Sequence, residues 1–195
     1  NRAFLFELHS PTITHYFEGH VRSFHISLHD FLSGQIRRLR QEDTVLASTD
    51  AGRAKFVQNM ADHLGMDAAF VYKRRLTGAS TLVTGVNADV RGRHVLLYDD
   101  MVRTGSSLLH AAEVYRDHGA RGVTALVTHL VLPGNSLDAL LASGTIDQLV
   151  GTDSHPRSQS LASRVDVQSL APELTKLLLD DSAWGWPAQG MPDAD

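Results

Sequence analysis

The 195-residue chain contains no cysteine, so disulfide bonds, thiolate metal sites and cysteine nucleophiles are all excluded. It also has little imbalance of charge, because 18 basic and 22 acidic side chains leave a formal net charge of −4. A chain with this charge has no global attraction to nucleic acid or to an anionic membrane surface. Any recognition of phosphate must therefore come from a local arrangement of residues.

Long apolar runs are absent as well. No stretch approaches the roughly 18 apolar residues that a membrane-spanning helix needs, and the first residues, NRAFLFELH, lack the basic and apolar regions of a signal peptide. We therefore expect a cytoplasmic protein with no membrane partner. The motifs HExxH, GxSxG and GxxxxGK(S/T) are also missing, which removes the main support for a zinc protease, an α/β-hydrolase or a P-loop enzyme.

The sequence does contain apolar segments of strand length that alternate with segments of helical periodicity. Near-continuously apolar strands separated by helices are typical of a parallel sheet covered on both faces. The pattern therefore predicts an α/β fold with a doubly wound, mostly parallel sheet. Strands are expected at 3–8, 44–49, 68–73, 81–86, 94–99, 122–130, 147–152 and 164–170, and helices at 27–40, 51–64, 107–118, 135–143 and 172–180.

One of these strands delivers two carboxylates to a loop of small polar residues. Asp99 and Asp100 end the strand, and Thr104-Gly105-Ser106-Ser107 opens the next helix. Ligands of open α/β sheets bind beyond the carboxyl ends of the strands. The loop hydroxyls, the backbone N–H groups and the helix N-terminus suit a phosphate, while the carboxylates suit ligand hydroxyls. The segment therefore predicts a pentose phosphate site, unless its polar groups only cap a turn and a helix.

YDDMVRTGSSL (98–108) resembles the phosphoribosyl-pyrophosphate motif shared by type I phosphoribosyltransferases and ribose-phosphate pyrophosphokinases. Four further segments are similar to the pyrophosphokinase family in particular. They are FELHSPTITHYFEG (6–19), STDAGRAK (48–55), AAFVYKRR (68–75) and VTHLVLPGNSLDAL (127–140). The resemblance is colinear over about residues 3–178 and implies a phosphoribosyltransferase-like fold.

This resemblance implies Mg²⁺-dependent transfer of diphosphate from ATP to the C1 hydroxyl of ribose 5-phosphate, giving phosphoribosyl pyrophosphate and AMP. It also implies a homo-oligomer, a dimer or a larger assembly. Two alternatives stay open. One is a phosphoribosyltransferase that consumes phosphoribosyl pyrophosphate, and the other is a non-catalytic regulatory homologue of the synthetase.

Carried over residue by residue, the resemblance assigns Lys73 and Arg75 to the stabilisation of the transferring diphosphoryl group. It assigns Asp50 and His9 to Mg²⁺, and it implies a loop over 76–85 that closes over the phosphates. The residues expected to hold ribose 5-phosphate are Asp99, Asp100, Arg103, Thr104, Gly105, Ser106 and Ser107.

Several residues depart from the family pattern. Glu7 stands in place of the usual Asp, Arg53 and Ser106 each replace a glycine, and Arg103 stands where the family often has an acidic residue. These substitutions suggest a divergent branch.

The resemblance also divides the chain. Residues 1–20 are expected to be the end of a truncated N-terminal phosphoribosyltransferase-like half. Residues 21–181 are expected to form a C-terminal phosphoribosyltransferase-like domain that lacks part of the ATP site. The Gly-, Pro- and Asp-rich residues 182–195 are expected to form an irregular tail.

Overall fold

The computed structural model describes residues 2–17, 19, 21–75 and 82–179. The strands are β1 (Arg2–Phe6), β2 (Arg22–Ile26), β3 (Thr44–Ser48), β4 (Asp67–Arg75), β5 (Leu82–Val86), β6 (His94–Val102), β7 (Gly122–Leu130), β8 (Gln148–Thr152) and β9 (Asp166–Gln168). The helices are α1 (His29–Leu39), α2 (Ala54–Leu64), α3 (Ser106–Asp117), α4 (Ser136–Ala142), α5 (Ser158–Leu161) and α6 (Ala171–Leu179), and a 3-10 helix spans Pro11–Phe17.

Seven strands form the central sheet in the order β5-β4-β3-β6-β7-β8-β9. Every neighbouring pair is parallel except β4 and β5, which are antiparallel. The predicted doubly wound, mostly parallel α/β fold is therefore confirmed. We call the edge where β3, β6, β7 and β8 end the carboxyl edge, and the edge where they begin the amino edge.

Strand β6 shows why the strands have near-continuous apolar runs. Val95 and Leu97 pack into one apolar core together with α3, whereas Leu96 and Tyr98 pack into a second core together with α1 and α2. Successive side chains of a strand point to opposite faces of the sheet. Because helices cover both faces, both sets of side chains must be apolar.

Residues 22–26 form a strand that the sequence analysis did not predict. In β2 exposed and half-buried side chains are mixed, so the segment lacks the apolar run of the central strands. It pairs in parallel with β1, and the rings of Phe4 and Phe24 stack with centroids 5.5 Å apart. The two strands come from either side of the predicted boundary between 1–20 and 21–181, and that division stays a prediction.

Two further expectations concern residues that the structure leaves undescribed. The predicted tail at 182–195 and residues 76–81 of the predicted closing loop lie outside the described residues. Among the described helices, none is long and apolar enough to cross a membrane.

Candidate active site

The carboxylate pair lies at the carboxyl edge, in the last part of β6. Asp100 is buried and Asp99 is half-buried. The oxygens of Asp99 accept hydrogen bonds from the Asp100 backbone N–H at 2.9 Å and from the Thr49 hydroxyl at 3.0 Å. Burial raises the pKa of Asp99, and the hydrogen bond from Thr49 opposes that shift. The pairing of β3 with β6 is what brings Thr49 to this carboxylate.

A cavity of about 340 Å³ opens beside Asp99 and is lined by the loop between β6 and α3. The loop hydroxyls of Thr104 and Ser106 lie 2.9 Å apart. The lining of the cavity includes most of the residues expected to hold ribose 5-phosphate, namely Asp99, Arg103, Thr104, Gly105, Ser106 and Ser107. The structure thus brings a carboxylate, a cation and a helix N-terminus to one cavity.

Gly105 sets the geometry of this loop. Its φ of +84° is in the left-handed region, and its carbonyl accepts the N–H of Leu109 at 2.8 Å in the first turn of α3. A Cβ at this position would lie 3.2 Å from the side chain of Leu140. Glycine tolerates this conformation without the steric cost that other residues meet there.

Asp50 is placed at the same edge by the turn between β3 and α2. One oxygen of its carboxylate accepts the backbone N–H groups of Gly52 at 2.8 Å and of Arg53 at 3.4 Å. The Ser48 hydroxyl donates to the Asp50 carbonyl at 2.8 Å. The Asp50 side chain is exposed, so this turn presents a carboxylate to solvent beside the strand ends.

His9 and Arg53 meet at the second carboxylate of the pair. The His9 Nδ1 atom lies 2.7 Å from Asp100 Oδ2, and Arg53 Nη2 hydrogen-bonds the same oxygen. The Asp100 side chain is 3% exposed and that of Arg53 is 19% exposed. The sequence analysis noted Arg53 only as a departure from the family pattern. A cation directly after the strand-end segment DAG was the signal that could have identified it.

Glu7, another departure from the family pattern, has a structural contact. It is buried, and one oxygen of its carboxylate accepts the backbone N–H of Leu28 at 2.8 Å just before α1. The Glu7 carbonyl accepts a hydrogen bond from His129 Nε2 at 3.1 Å. The longer carboxylate arm therefore satisfies a backbone donor at the start of a helix.

Lys73 and Arg75 lie on β4, beyond the level at which β3 ends. The last pair between these strands joins Ser48 to Phe70, and β4 continues in antiparallel pairing with β5 as far as Arg75. Both residues are therefore on the carboxyl-edge side of the sheet, two strands away from β6. Their side chains lie outside the described part of the structure, and the roles assigned to them stay predictions.

The chemistry of the carboxylates fits Mg²⁺. Across residues 2–17, 19, 21–75 and 82–179, no group of three or more His, Asp or Glu side chains could hold a metal ion. Mg²⁺ does not require one, because it commonly takes one or two carboxylates and completes its shell with phosphate oxygens and water. Asp50 fits that requirement. His9 fits it less well, since imidazole is not a typical Mg²⁺ ligand.

Comparison with known proteins identifies the family to which this chain is related. A sequence profile of the phosphoribosyl synthetase-associated domain matches residues 79–173. The ribose-phosphate pyrophosphokinase of Campylobacter jejuni is 30% identical over 178 residues, which are 91% of this chain and 56% of that protein. The one of Burkholderia pseudomallei is 34% identical over 162 residues, 83% of this chain and 50% of that protein. This chain belongs to the ribose-phosphate pyrophosphokinase family.

A solved structure supports the same assignment. The crystal structure of phosphoribosylpyrophosphate synthetase from Mycobacterium smegmatis superposes with a TM-score of 0.77 at 29% identity and covers 94% of this chain. The match takes in 59% of that structure's chain. This member of the pyrophosphokinase family therefore spans about half the length of the curated relatives it matches.

Proposed function

We propose that this protein transfers diphosphate from ATP to the C1 hydroxyl of ribose 5-phosphate in a Mg²⁺-dependent reaction. The products would be phosphoribosyl pyrophosphate and AMP. The observation that carries the proposal is that one cavity is lined by Asp99, Arg103 and the N-terminus of α3. The chain that forms this cavity belongs to the pyrophosphokinase family.

Ribose 5-phosphate would bind with its phosphate at the loop of residues 104–107. The backbone N–H groups and hydroxyls of this loop can donate to phosphate oxygens, and the positive end of α3 favours an anion. The exposed Arg103 adds a cation at the same cavity. Asp99 would accept hydrogen bonds from ribose hydroxyls, which are stronger when the acceptor is ionised.

In the transfer, the C1 oxygen forms a bond to the β-phosphorus of ATP and its hydroxyl proton is released. The bond from that phosphorus to the oxygen bridging to the α-phosphate breaks, and AMP leaves. Negative charge grows on the phosphoryl oxygens, so cations already in place lower the barrier. Lys73 and Arg75 would supply such cations. Mg²⁺, held by Asp50, phosphate oxygens and water, would neutralise further charge when bound.

We also propose that the protein acts in the cytoplasm as a homo-oligomer, a dimer or larger. The cavity beside Asp99 would hold the sugar phosphate, and a neighbouring subunit would supply part of the contacts to ATP. Sedimentation of the purified chain tests this assembly, and a monomer at every concentration that supports activity would contradict it.

The activity is tested by measuring AMP release from ATP with Mg²⁺ and ribose 5-phosphate, on this chain and on a longer version of it. We expect AMP only when all three components are present. Lys73→Ala should lower turnover by about 100-fold or more while ribose 5-phosphate binding stays nearly intact. Lys176→Ala is the matched control, because Lys176 lies on α6 and pairs with Glu173 at 2.9 Å.

Absence of AMP from both versions, with ribose 5-phosphate still bound, would contradict the proposal. That outcome would leave a transferase that consumes phosphoribosyl pyrophosphate or a regulatory homologue.

A further inference from the structure

Arg53 is a cation built into the candidate site on a side chain that the family pattern does not predict. It precedes α2, and its guanidinium crosses to the end of β6, where Nη2 hydrogen-bonds Asp100 Oδ2. The same nitrogen lies 3.4 Å from His9 Nδ1, which is itself 2.7 Å from that oxygen. One carboxylate oxygen therefore accepts from two nitrogen donors.

Burial makes the ion pair between Asp100 and Arg53 costly to break. The Asp100 side chain is 3% exposed, and a buried carboxylate that loses its cation becomes an uncompensated charge in a medium of low polarity. Guanidinium stays protonated at any physiological pH. Asp100 is thus neutralised by the protein's own side chain.

The neighbouring carboxylates differ from Asp100 in this respect. Within the described residues, Asp50 accepts hydrogen bonds from backbone N–H groups, and Asp99 accepts them from a backbone N–H and the Thr49 hydroxyl. These donors carry no net charge, so they leave the carboxylates attractive to a cation. A divalent cation would reach Asp50 or Asp99 without breaking an ion pair, whereas at Asp100 it must first displace Arg53.

We propose that Arg53 is a positioning residue that occupies Asp100 and competes there with a divalent cation. Asp100 is then withheld from metal binding, and a cation entering the site is directed to the other carboxylates. The use of that cation in diphosphate transfer rests on the proposed function, but the competition itself does not.

The test is Mn²⁺ binding to the whole chain without nucleotide or sugar phosphate, followed by the electron paramagnetic resonance signal of free Mn²⁺. Arg53→Gln removes the competing cation, so we expect Mn²⁺ to bind about tenfold more tightly. The double variant Arg53→Gln with Asp100→Asn should lose that gain. Arg121→Gln is the matched control, because it removes a guanidinium from a carboxylate, Asp43, at the opposite edge of the sheet. It should bind Mn²⁺ as the wild type does.

Equal or weaker Mn²⁺ binding by Arg53→Gln would overturn the proposal, as would a gain that persists in the double variant. A measurement without any variant covers the case in which Arg53→Gln does not fold. This measurement is anomalous diffraction from wild-type crystals soaked with Mn²⁺. An anomalous peak within bonding distance of Asp100 while Arg53 still contacts that carboxylate would overturn the proposal. We expect Arg53 to stay in place, with an anomalous peak elsewhere or with none. Because no substrate is present, these results do not depend on whether AMP is released.

Discussion

At the amino edge of the sheet, charged side chains are paired with one another. Arg116 lies 2.6 Å from Asp147, and Arg121 lies 3.0 Å from Asp43. Asp147 also accepts the backbone N–H of Val123 at 2.7 Å, where β7 begins. The contact between Arg121 and Asp43 links the segments before β7 and β3, and Asp147 links the segment before β8 to α3 and β7. The acidic residues here therefore serve the fold.

At the carboxyl edge, Asp50 and Asp99 instead accept hydrogen bonds from uncharged donors, and the loop of residues 104–107 presents its hydroxyls to a cavity. The carboxylates at the two edges of the sheet therefore have different kinds of partner. Where they are paired with Arg they stabilise the connections between elements, and where they are left facing uncharged groups they can accept from a ligand. Asp100 is the exception at the carboxyl edge, because it is paired with Arg53.

Among the variants that test this comparison of the two edges, the largest effect on ribose 5-phosphate binding is expected at Asp99. A hydrogen bond to an ionised acceptor contributes about 1.5–3 kcal/mol, so Asp99→Asn should weaken ribose 5-phosphate binding by roughly 10- to 100-fold. Burial raises the pKa of Asp99, which means that the folded state disfavours its ionised form. The melting temperature should therefore stay level or rise. Calorimetric titration and thermal unfolding measure the two quantities, and a clear fall in melting temperature would contradict this assignment.

The opposite result is expected at the amino edge. Asp147→Ala leaves the backbone N–H of Val123 and the Nη2 group of Arg116 without their acceptor, although the Arg116 guanidinium keeps its bonds to the carbonyls of Thr145 and Arg121. Loss of a partner by a buried donor costs about 1–3 kcal/mol, so the free energy of unfolding should fall by that amount. Ribose 5-phosphate binding should change less than about twofold. Chemical denaturation checks the first value, and a loss of binding as large as that of Asp99→Asn would remove the distinction between the edges.

The two ends of α3 allow a closer comparison with smaller effects. Gly105 at the carboxyl edge and Gly119 at the amino edge have φ values of +84° and +89°. Alanine in the left-handed region costs roughly 1–2 kcal/mol, so both Gly→Ala variants should lose similar stability. Only Gly105→Ala should also weaken ribose 5-phosphate binding, because it reshapes the loop of residues 104–107, at which the phosphate is proposed to bind. Equal affinities in the two variants would show that this loop does not bind the phosphate.

The central sheet and the position of the loop of residues 104–107 were predictable because their signals are contiguous. Strand β6 carries its apolar run, its two carboxylates and the turn at Gly105 within one short segment. A strand covered on both faces and a loop that opens a helix each impose a local residue pattern. Sequence reasoning could therefore place Asp99 and Asp100 at the carboxyl edge.

The contacts around Asp100 were not predictable, because they join distant parts of the chain. His9 and Asp100 are 91 residues apart, and Arg53 and Asp100 are 47 apart. Glu7 reaches the N–H of Leu28 only because β1 lies beside β2, a strand without a long apolar run. Side chains of such segments are fixed by tertiary packing rather than by local pattern.

The smallest expected effect is the pH dependence of His94 at the amino edge. Its two ring nitrogens each lie 3.0 Å from a hydroxyl, those of Thr44 and Thr124. Burial lowers its pKa below 6.5, the charges of Arg121 and Arg116 lower it further, and that of Asp147 opposes them. The unfolded chain therefore binds more protons below about pH 6.5, and stability should fall as pH drops through that range. In His94→Gln this contribution is absent, so the wild-type advantage in melting temperature should shrink between pH 7.5 and pH 5.5. A constant difference between the two proteins would show that His94 does not titrate on unfolding.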